Sequence, residues 1–199
     1  MDAEGEDLLA LLAIDLDRYF ERLVSMYWQQ LRNFVFRQTN SLQDAEDIVQ
    51  EAVVRAYLAL GRYSAQRIQN MKLRPWLYKI TWNVYCNYSS RSKQPPYIPL
   101  DLSEDDPLLE REDDWHEQPE IVFENAERKR ELAMLVGTLP PRYREVVNLH
   151  YFEELNSQEI ADILNVPVAT IRVYLHRGIK LLRKAAAVQE REVSWNNGV

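Results

Sequence analysis

The stretch LNSQEIADILNVPVATIRVYLHRGIKLLRK, residues Leu155–Lys184, reads as a helix, a tight turn and a second helix. Asn156 stands at an expected N-cap, and Glu159 follows three residues later, which is the spacing of a capping box. Asn165 tolerates the left-handed backbone conformation that ends a helix, and Pro167 suits the first turn of the next helix. The stretch therefore predicts a helix-turn-helix unit.

The second helix of this unit has two chemically different faces. No acidic residue occurs from Val166 to Ala187. A solvated basic face, or a helix at an anionic membrane surface, would show a similar charge pattern. The turn before the helix favours a helix that enters the DNA major groove. The apolar face carries Val168, Ile171, Leu175, Gly178 and Leu182, and the opposite face carries Arg172, Val173, His176, Arg177, Lys180, Arg183 and Lys184.

The composition limits the class of protein. A chain of 199 residues has room for one large or two small domains, and five glycines among long stretches of helical period predict an all-α fold. The net charge of −7 argues against a protein that coats nucleic acid indiscriminately. The single Cys86 excludes an internal disulfide and a multi-cysteine zinc site, so we expect no metal and no cofactor. Without a signal peptide or a membrane-spanning apolar run, we expect a cytoplasmic protein with no membrane insertion.

The N-terminal part of the chain predicts two long helices. Residues 1–18 are acidic and rich in leucine, and they fit either a short amphipathic helix or a frayed end. A helix is predicted from Tyr19 to Arg37, and a second one from Leu42 to Leu60, which Gly61 ends. Carboxylates early in the second helix suit its dipole, and they equally suit docking of a basic partner. These carboxylates are Asp44, Glu46, Asp47 and Glu51.

The sign of the charge reverses after this helix, because no Asp or Glu occurs from Ala52 to Leu100. Residues Gly61–Met71 are predicted to form an irregular loop, and Lys72–Ser90 a helix. Since a helix of a thin domain cannot bury both faces, we expect its second aromatic face to be exposed and to stack on unpaired bases. A role of that face in the core stays open. The two faces are Leu73, Trp76, Leu77, Ile80, Val84 and Tyr88, and nearly opposite them Tyr78, Trp82, Tyr85 and Ser89.

A linker separates this first predicted domain, residues 19–94, from a second one. Residues 95–122 are acidic and lack an apolar period, which predicts an extended, flexible segment. Trp115 is unusual there and its role stays open. The second domain is predicted at residues 123–187, ending with the helix-turn-helix, and residues 188–199 are predicted to be a frayed tail.

Two separated segments resemble the extracytoplasmic-function (ECF) group of bacterial sigma factors, of the sigma-70 family. DAEDIVQEAVVRAYLAL, Asp44–Leu60, is similar to the polymerase-docking helix of that family, and RPWLYKITWNVYCNYSSR, Arg74–Arg91, to its promoter-melting helix. LPPRYREVVNLHYFEELNSQEIADIL, Leu139–Leu164, together with VPVATIRVYLHRGIKLLRK, Val166–Lys184, resembles its fourth domain. Finding both segments in this order is typical of a minimal sigma factor.

The resemblance implies a mechanism with three surfaces and a loop, Gln66–Arg74, that holds a flipped base. It also implies an anti-sigma factor as a partner, clamped between the two domains. Docking to the clamp helices of the largest subunit of core RNA polymerase would use Asp44, Asp47, Gln50 and Glu51. Promoter DNA would be opened at the −10 element by Arg74, Lys79, Trp82, Asn83, Asn87 and Arg91. The −35 element would be read by Thr170, Arg172, Val173, His176, Arg177 and Lys180.

Other function classes explain less of the sequence. A stand-alone helix-turn-helix regulator would bind duplex DNA without polymerase. An enzyme is disfavoured because the chain has no P-loop, no glycine-rich dinucleotide turn and no HExxH, and we expect no catalytic residue. A helical adaptor would leave the separation of acidic and basic segments unexplained.

Overall fold

The computed structural model describes the backbone of residues 3–91 and 126–196, and the side chains within residues 7–90 and 132–186. Every regular element in those ranges is an α-helix, which confirms the all-α prediction. The acidic linker with Trp115 lies outside the described residues, as do the predicted domain boundaries near residues 94 and 123. The helices are α1 (Ala3–Ile14), α2 (Leu16–Thr39), α3 (Leu42–Leu60), α4 (Ala65–Gln69), α5 (Leu73–Arg91), α6 (Ala126–Gly137), α7 (Pro141–Tyr151), α8 (Ser157–Leu164) and α9 (Val168–Asn196).

Helices α1–α5 form the N-terminal half, and their ends follow from local chemistry. The side chain of Asp15 caps α2 by accepting the Arg18 N–H at 3.1 Å. Asn40 ends α2 in the left-handed conformation at φ 55°, and Ser41 then caps α3. The break predicted between these helices is confirmed. The N-terminal segment, which the sequence left undecided, forms α1, and it packs against α2 and α4 through buried leucines Leu8, Leu9 and Leu12.

The prediction of an irregular loop over Gly61–Met71 is wrong in part, because residues Ala65–Gln69 form α4. The Ser64 hydroxyl caps this short helix by accepting the Arg67 N–H at 3.3 Å. Ile68 is buried against the rest of the N-terminal half. A single cap and one apolar anchor hold a turn of helix that is too short to show an apolar period.

Helices α6–α9 form the C-terminal half, and α8–α9 is the predicted helix-turn-helix. The Asn156 side chain accepts the N–H groups of Gln158 and Glu159, each at 3.0 Å, and the Glu159 carboxylate accepts the Asn156 N–H at 3.2 Å. Asn165 ends α8 at φ 56°. These observations confirm the capping box and the helix end that the sequence predicts. The prediction of a frayed tail is wrong as far as Asn196, because α9 continues through a run of good helix formers that no Gly or Pro interrupts.

The two halves pack against each other, and their buried apolar side chains form one contiguous core. Helix α5 contacts α3 of its own half and α8 of the other, and α2 contacts α6 and α7. Polar groups cross the same boundary: Arg37 bonds Asn148 and Glu153, and the Tyr78 hydroxyl bonds Glu153. The described helices include none that is both long and apolar enough to cross a membrane.

Candidate nucleic-acid interface

Helix α9 presents part of its predicted reading face to solvent. Arg172 and Lys180 are exposed, and His176 and Arg177 are half-buried. The packing of α9 onto α7 fixes this orientation, because Tyr174 is buried with its ring edge-on to Tyr143 at 5.7 Å. A helix held by such a core contact keeps its cationic side chains pointing outward.

The remaining two positions of that face, Thr170 and Val173, are buried, at 7% and 5% exposure. Thr170 lies in the first turn of α9, where α8 packs against the helix and shields it. Val173 stands nearly opposite the core residue Ile171 and lies outside the contiguous core. As contacts to the −35 element, Thr170 and Val173 stay predictions, and both side chains are buried in the described arrangement.

Helix α5 carries a polar ridge on its exposed side. Lys79, Asn83 and Asn87 are all exposed, and their spacing of four residues places them in one row along the helix. Arg74 is half-buried at the start of α5. Arg91 is the last residue of the helix, and its side chain lies outside the described ones. The ridge offers one cation and two amides at regular intervals, a pattern that suits contacts to a phosphate backbone and to base edges.

The opposite face of α5 is not exposed, which overturns the expectation of an open aromatic surface. Tyr78 is 0% exposed and Trp82 is 5% exposed, and Ser89 is also buried. The rings of Tyr78 and Trp82 lie 5.3 Å and 6.5 Å from that of Phe34. Phe34 belongs to α2 of the same half, so the N-terminal helices themselves pack against these rings. The C-terminal half adds a contact at Tyr78, whose hydroxyl donates to Glu153.

Helix α3 presents an exposed surface composed of Asp47, Gln50 and Glu51. The sequence reading missed two apolar residues that extend it by one and two turns, Val54 at 57% and Leu58 at 52% exposure. Their spacing of four residues from Gln50 and from each other could have revealed them. We call these five residues the α3 face. It combines carboxylates with exposed apolar side chains, as protein-docking surfaces do.

Asp44, the fourth predicted docking residue, is half-buried and contacts another helix. Its carboxylate accepts a hydrogen bond from the Tyr88 hydroxyl at 2.8 Å, which ties α3 to the end of α5. The bond raises the pKa of Tyr88, because the neighbouring carboxylate disfavours the phenolate. Asp44 therefore fixes the start of α3 against the end of α5.

A stacked group beside α4 was also missed by the sequence reading. The Arg67 guanidinium lies 3.6 Å from the centre of the Tyr63 ring, and the Tyr63 and Trp76 rings meet edge-on at 6.1 Å. Arg67 is exposed, and both rings are half-buried. The group flanks the loop that the resemblance assigns to a flipped base, and stacked cations and rings are surfaces on which bases pack.

Glu145 is a buried carboxyl of α7 that faces α5. It is 5% exposed, and burial raises its pKa to about 8. Its charge acts on Tyr85 and Cys86 of α5, which places it at the boundary between the halves. At neutral pH this carboxyl holds a proton that the unfolded chain would release.

We expect Glu145 to make stability fall as pH rises. Between the ordinary pKa of 4.5 and about 8 the folded chain binds one proton more than the unfolded chain, so the free energy of unfolding decreases across this window. The slope is about 1.4 kcal/mol per pH unit for a single group. Urea unfolding between pH 5 and pH 9 should show that Glu145→Gln, which stays neutral, lacks this part of the decline. If the free energy of unfolding fell with pH equally in the variant and in the parent chain, Glu145 would not be the group responsible.

Comparison with known proteins identifies both halves. Residues 23–94 match the family described as Sigma-70 region 2, and residues 129–182 match Sigma-70, region 4. The chain is 30% identical over 172 residues to the ECF RNA polymerase sigma factor SigW of Bacillus subtilis, which covers 83% of this chain and 87% of the relative. The chain belongs to the ECF sigma factors of the sigma-70 family. The resemblance seen in the sequence is thereby confirmed, and the halves are hereafter called region 2 and region 4.

Two solved structures share the fold of this chain. CnrH in complex with the cytosolic domain of CnrY superimposes with a TM-score of 0.61 at 20% identity, over 92% of this chain and 97% of that one. The sigma factor RpoE of Bartonella quintana, in complex with the anti-sigma factor NepR, gives a TM-score of 0.58 at 16% identity, over 85% and 97% of the two chains. At this level of identity the likeness concerns the fold.

Proposed function

We propose that this ECF sigma factor binds core RNA polymerase and directs it to promoters, opening the −10 element through α5 and reading the −35 element through α9. The observation that carries the proposal is the presence of both regions in one chain, with an exposed polar ridge on α5 and exposed cations on α9. A stand-alone regulator needs only a helix-turn-helix. The stand-alone regulator would leave the presence of region 2 and of the α3 face unexplained.

The α3 face is the proposed contact with the clamp helices of the largest polymerase subunit. Its carboxylates would meet basic side chains, and Val54 and Leu58 would add apolar area that is otherwise exposed to water. Asp44 would act by fixing α3 against α5 through Tyr88.

The proposed −10 interface is the ridge of Lys79, Asn83 and Asn87, extended by Arg74 and Arg91 at the two ends of α5. The loop Gln66–Arg74 would hold the flipped base beside the Arg67–Tyr63–Trp76 stack. Trp82 is buried beside Phe34 in the described arrangement, so it would reach the strand only after the residues that cover it move.

Binding of promoter duplex tests the functional class. A sigma factor should bind its promoter tightly only when core polymerase is present, since its acidic charge of −7 opposes binding of the free chain to phosphates. Fluorescence anisotropy of a labelled promoter, with and without core, measures this directly. Tight binding by the chain alone would support the stand-alone regulator.

We predict that Arg177→Ala weakens binding of the holoenzyme to the −35 element. The loss should be about 1–3 kcal/mol if the guanidinium bonds one base through two N–H groups. Anisotropy titrations of reconstituted holoenzyme with competing −35 sequences measure the loss of affinity. They also show which base position of the −35 element Arg177 contacts. Arg22→Ala serves as a control, because it removes an exposed arginine of α2 that lies outside the proposed interfaces. Equal promoter affinity of Arg177→Ala and the parent chain would exclude Arg177 from the interface.

We further propose an anti-sigma factor as a regulatory partner, because the structurally similar sigma factor RpoE was solved in complex with the anti-sigma factor NepR. Its action would be exerted in the cytoplasm, where polymerase and promoters lie. The chain would give the polymerase its promoter specificity. It would catalyse no reaction of its own, because the relative that it matches is a sigma factor.

A further inference from the structure

Helix α1 is the main packing partner of the short helix α4. It packs against α2 and α4, and α4 packs on α1 more extensively than on any other described helix. The buried side chains of the two helices are apolar: Leu8, Leu9 and Leu12 of α1 are 0%, 5% and 1% exposed, and Ile68 of α4 is 4% exposed. All four belong to the contiguous core. The N-terminal segment therefore covers α4 from one side.

Helix α4 needs this support because it is short. It spans only Ala65–Gln69, little more than one turn. A helix of this length is not stable in water by itself, because nucleation costs more than a few backbone hydrogen bonds return. Its local polar bonds are the Ser64 cap on the Arg67 N–H and the bond from the Asn70 side chain to the Gln66 carbonyl, and both are exposed to water. Packing on α1 is therefore needed to hold α4 in place.

The other side of α4 carries a residue of the proposed base site. The Arg67 guanidinium stacks on the Tyr63 ring, which meets the Trp76 ring edge-on. Arg67 and Ile68 are successive residues, so their side chains point about 100° apart around the helix axis. One turn of helix thus has a buried anchor on one side and an exposed cation on the other. Melting of α4 would move Arg67 away from Tyr63 and release the start of the loop Gln66–Arg74.

Helix α1 lies outside the part of the chain that the family model describes. The match to Sigma-70 region 2 covers residues 23–94, which contain α4 and α5 but not α1. A single residue, Asp15, joins α1 to α2, and its side chain caps α2 through the Arg18 N–H. This short junction limits the positions that α1 can take, so α1 stays close to α2 and α4.

We propose that α1 is a positioning element for promoter opening. It holds α4 so that the loop Gln66–Arg74 and the stacked Arg67 are already formed when the flipped base of the −10 element arrives. This statement rests on the proposed function. The leucines of α1 act through α4 and do not themselves touch DNA. A preformed loop binds more tightly, because its conformational entropy is lost on folding and not on binding.

Hydrogen exchange of the full chain tests whether α1 holds α4. Leu12→Ala removes a buried apolar side chain of α1 and changes no charge. Amides of α4 should then exchange at least about tenfold faster, because local opening no longer breaks the full apolar contact. Amides of α3 and α5 should keep their protection. Leu12→Met, which conserves the side-chain volume, should behave as the parent chain does.

Leu31→Ala is the matched control for loss of core volume. It makes the same change at a position of α2 that is 2% exposed. Leu31 lies about 20 Å along α2 from Asp17. The Tyr57 hydroxyl donates to Asp17, which places the end of α3, just before α4, at that distant end of α2. Leu31→Ala should therefore leave the protection of α4 unchanged.

Removal of the flipped base distinguishes positioning from a general loss of stability. Abasic nucleotides are placed one at a time in the −10 non-template strand of a promoter selected by run-off transcription, and anisotropy measures its affinity for reconstituted holoenzyme. With the parent chain, the abasic site at the flipped position should weaken binding about 30-fold, as expected for a stacked base. With Leu12→Ala the same abasic site should weaken binding about fivefold or less, because the loop and the base are coupled. Leu31→Ala should keep the full effect.

The outcomes separate the role of α1 from the proposed function. Unchanged protection of α4 in both Leu12→Ala and Leu9→Ala would overturn the positioning role. An undiminished effect of the abasic site in a variant whose α4 has lost protection would overturn it too. If Leu12→Ala loses its helical circular dichroism, Leu9→Ala carries both tests. A parent holoenzyme that tolerates every abasic site would contradict the base-holding loop of the proposed function, and the role of α1 in promoter opening with it.

Discussion

Asp47→Arg should weaken binding of the chain to core RNA polymerase about 30-fold, equivalent to about 2 kcal/mol. Asp47 is exposed on α3, one turn before Gln50 and Glu51 of the same face. Reversing its charge replaces an attraction to basic clamp side chains with a repulsion, and it leaves the packing of region 2 untouched. Competition between a labelled parent chain and the variant for core polymerase measures the loss.

A control variant separates this effect from net charge. Glu21→Arg changes the charge of the chain by the same amount at an exposed position of α2, outside the α3 face. We expect it to compete for core as well as the parent chain does. Equal affinities of Asp47→Arg and Glu21→Arg would remove the α3 face from the polymerase contact.

Gly178→Leu should destabilise region 4 by about 3 kcal/mol, the upper end of what overpacking a core usually costs. A Cβ atom at Gly178 would lie 2.7 Å from a γ-methyl carbon of Val147 and 3.5 Å from the Cβ of Tyr143. Val147 is 0% exposed, so the clash falls inside the buried contact between α7 and α9. The better helix propensity of leucine returns only about 0.8 kcal/mol, so the clash dominates.

Native-state hydrogen exchange of the full chain measures this change. Amides of α7 and α9 should lose protection in Gly178→Leu, and −35 recognition by the holoenzyme should fall with it. Gly137→Leu is the control, because a Cβ at the end of α6 meets nothing within 4 Å. If Gly178→Leu kept the protection of the parent chain, the close approach of α7 and α9 at this glycine would be refuted.

The helix-turn-helix could be predicted from the sequence because its determinants are local. Asn156, Glu159 and Asn165 act within one or two turns of their own positions, and each adopts the role that its residue type and spacing indicate. The same holds for the break between α2 and α3, where Asn40 and Ser41 end one helix and cap the next. Local hydrogen bonds leave a signature in short stretches of sequence.

The burial of α5 could not be predicted, because its determinants are distant. Tyr78 bonds a carboxylate 75 residues away in sequence, and the Phe34 ring that lies 6.5 Å from that of Trp82 belongs to α2. Periodicity shows that α5 has two apolar faces. It does not show whether region 4 or unpaired DNA occupies the second one. Val54 and Leu58 lie in one row with Gln50 at four-residue spacing, but only the packing of α3 shows that they are exposed.

The individual DNA contacts remain predictions for a related reason. Thr170, Val173 and Trp82 are buried in the described arrangement, so contact with DNA would require the residues around them to move. Arg172, Lys180 and the ridge of α5 are exposed in this arrangement. Substitutions at these exposed positions test the proposed DNA contacts without disturbing the core.

Run-off transcription with purified core polymerase and a pool of promoter fragments tests the central claim most directly. Core alone should give no specific product. Core with this chain should initiate at a defined subset of promoters, whose shared −35 and −10 sequences would then be known. At a chain concentration that just saturates core with the parent chain, the account predicts that this initiation is strongly reduced with Asp47→Arg and kept with Glu21→Arg. No chain-dependent initiation, together with tight binding of the free chain to duplex DNA, would contradict it.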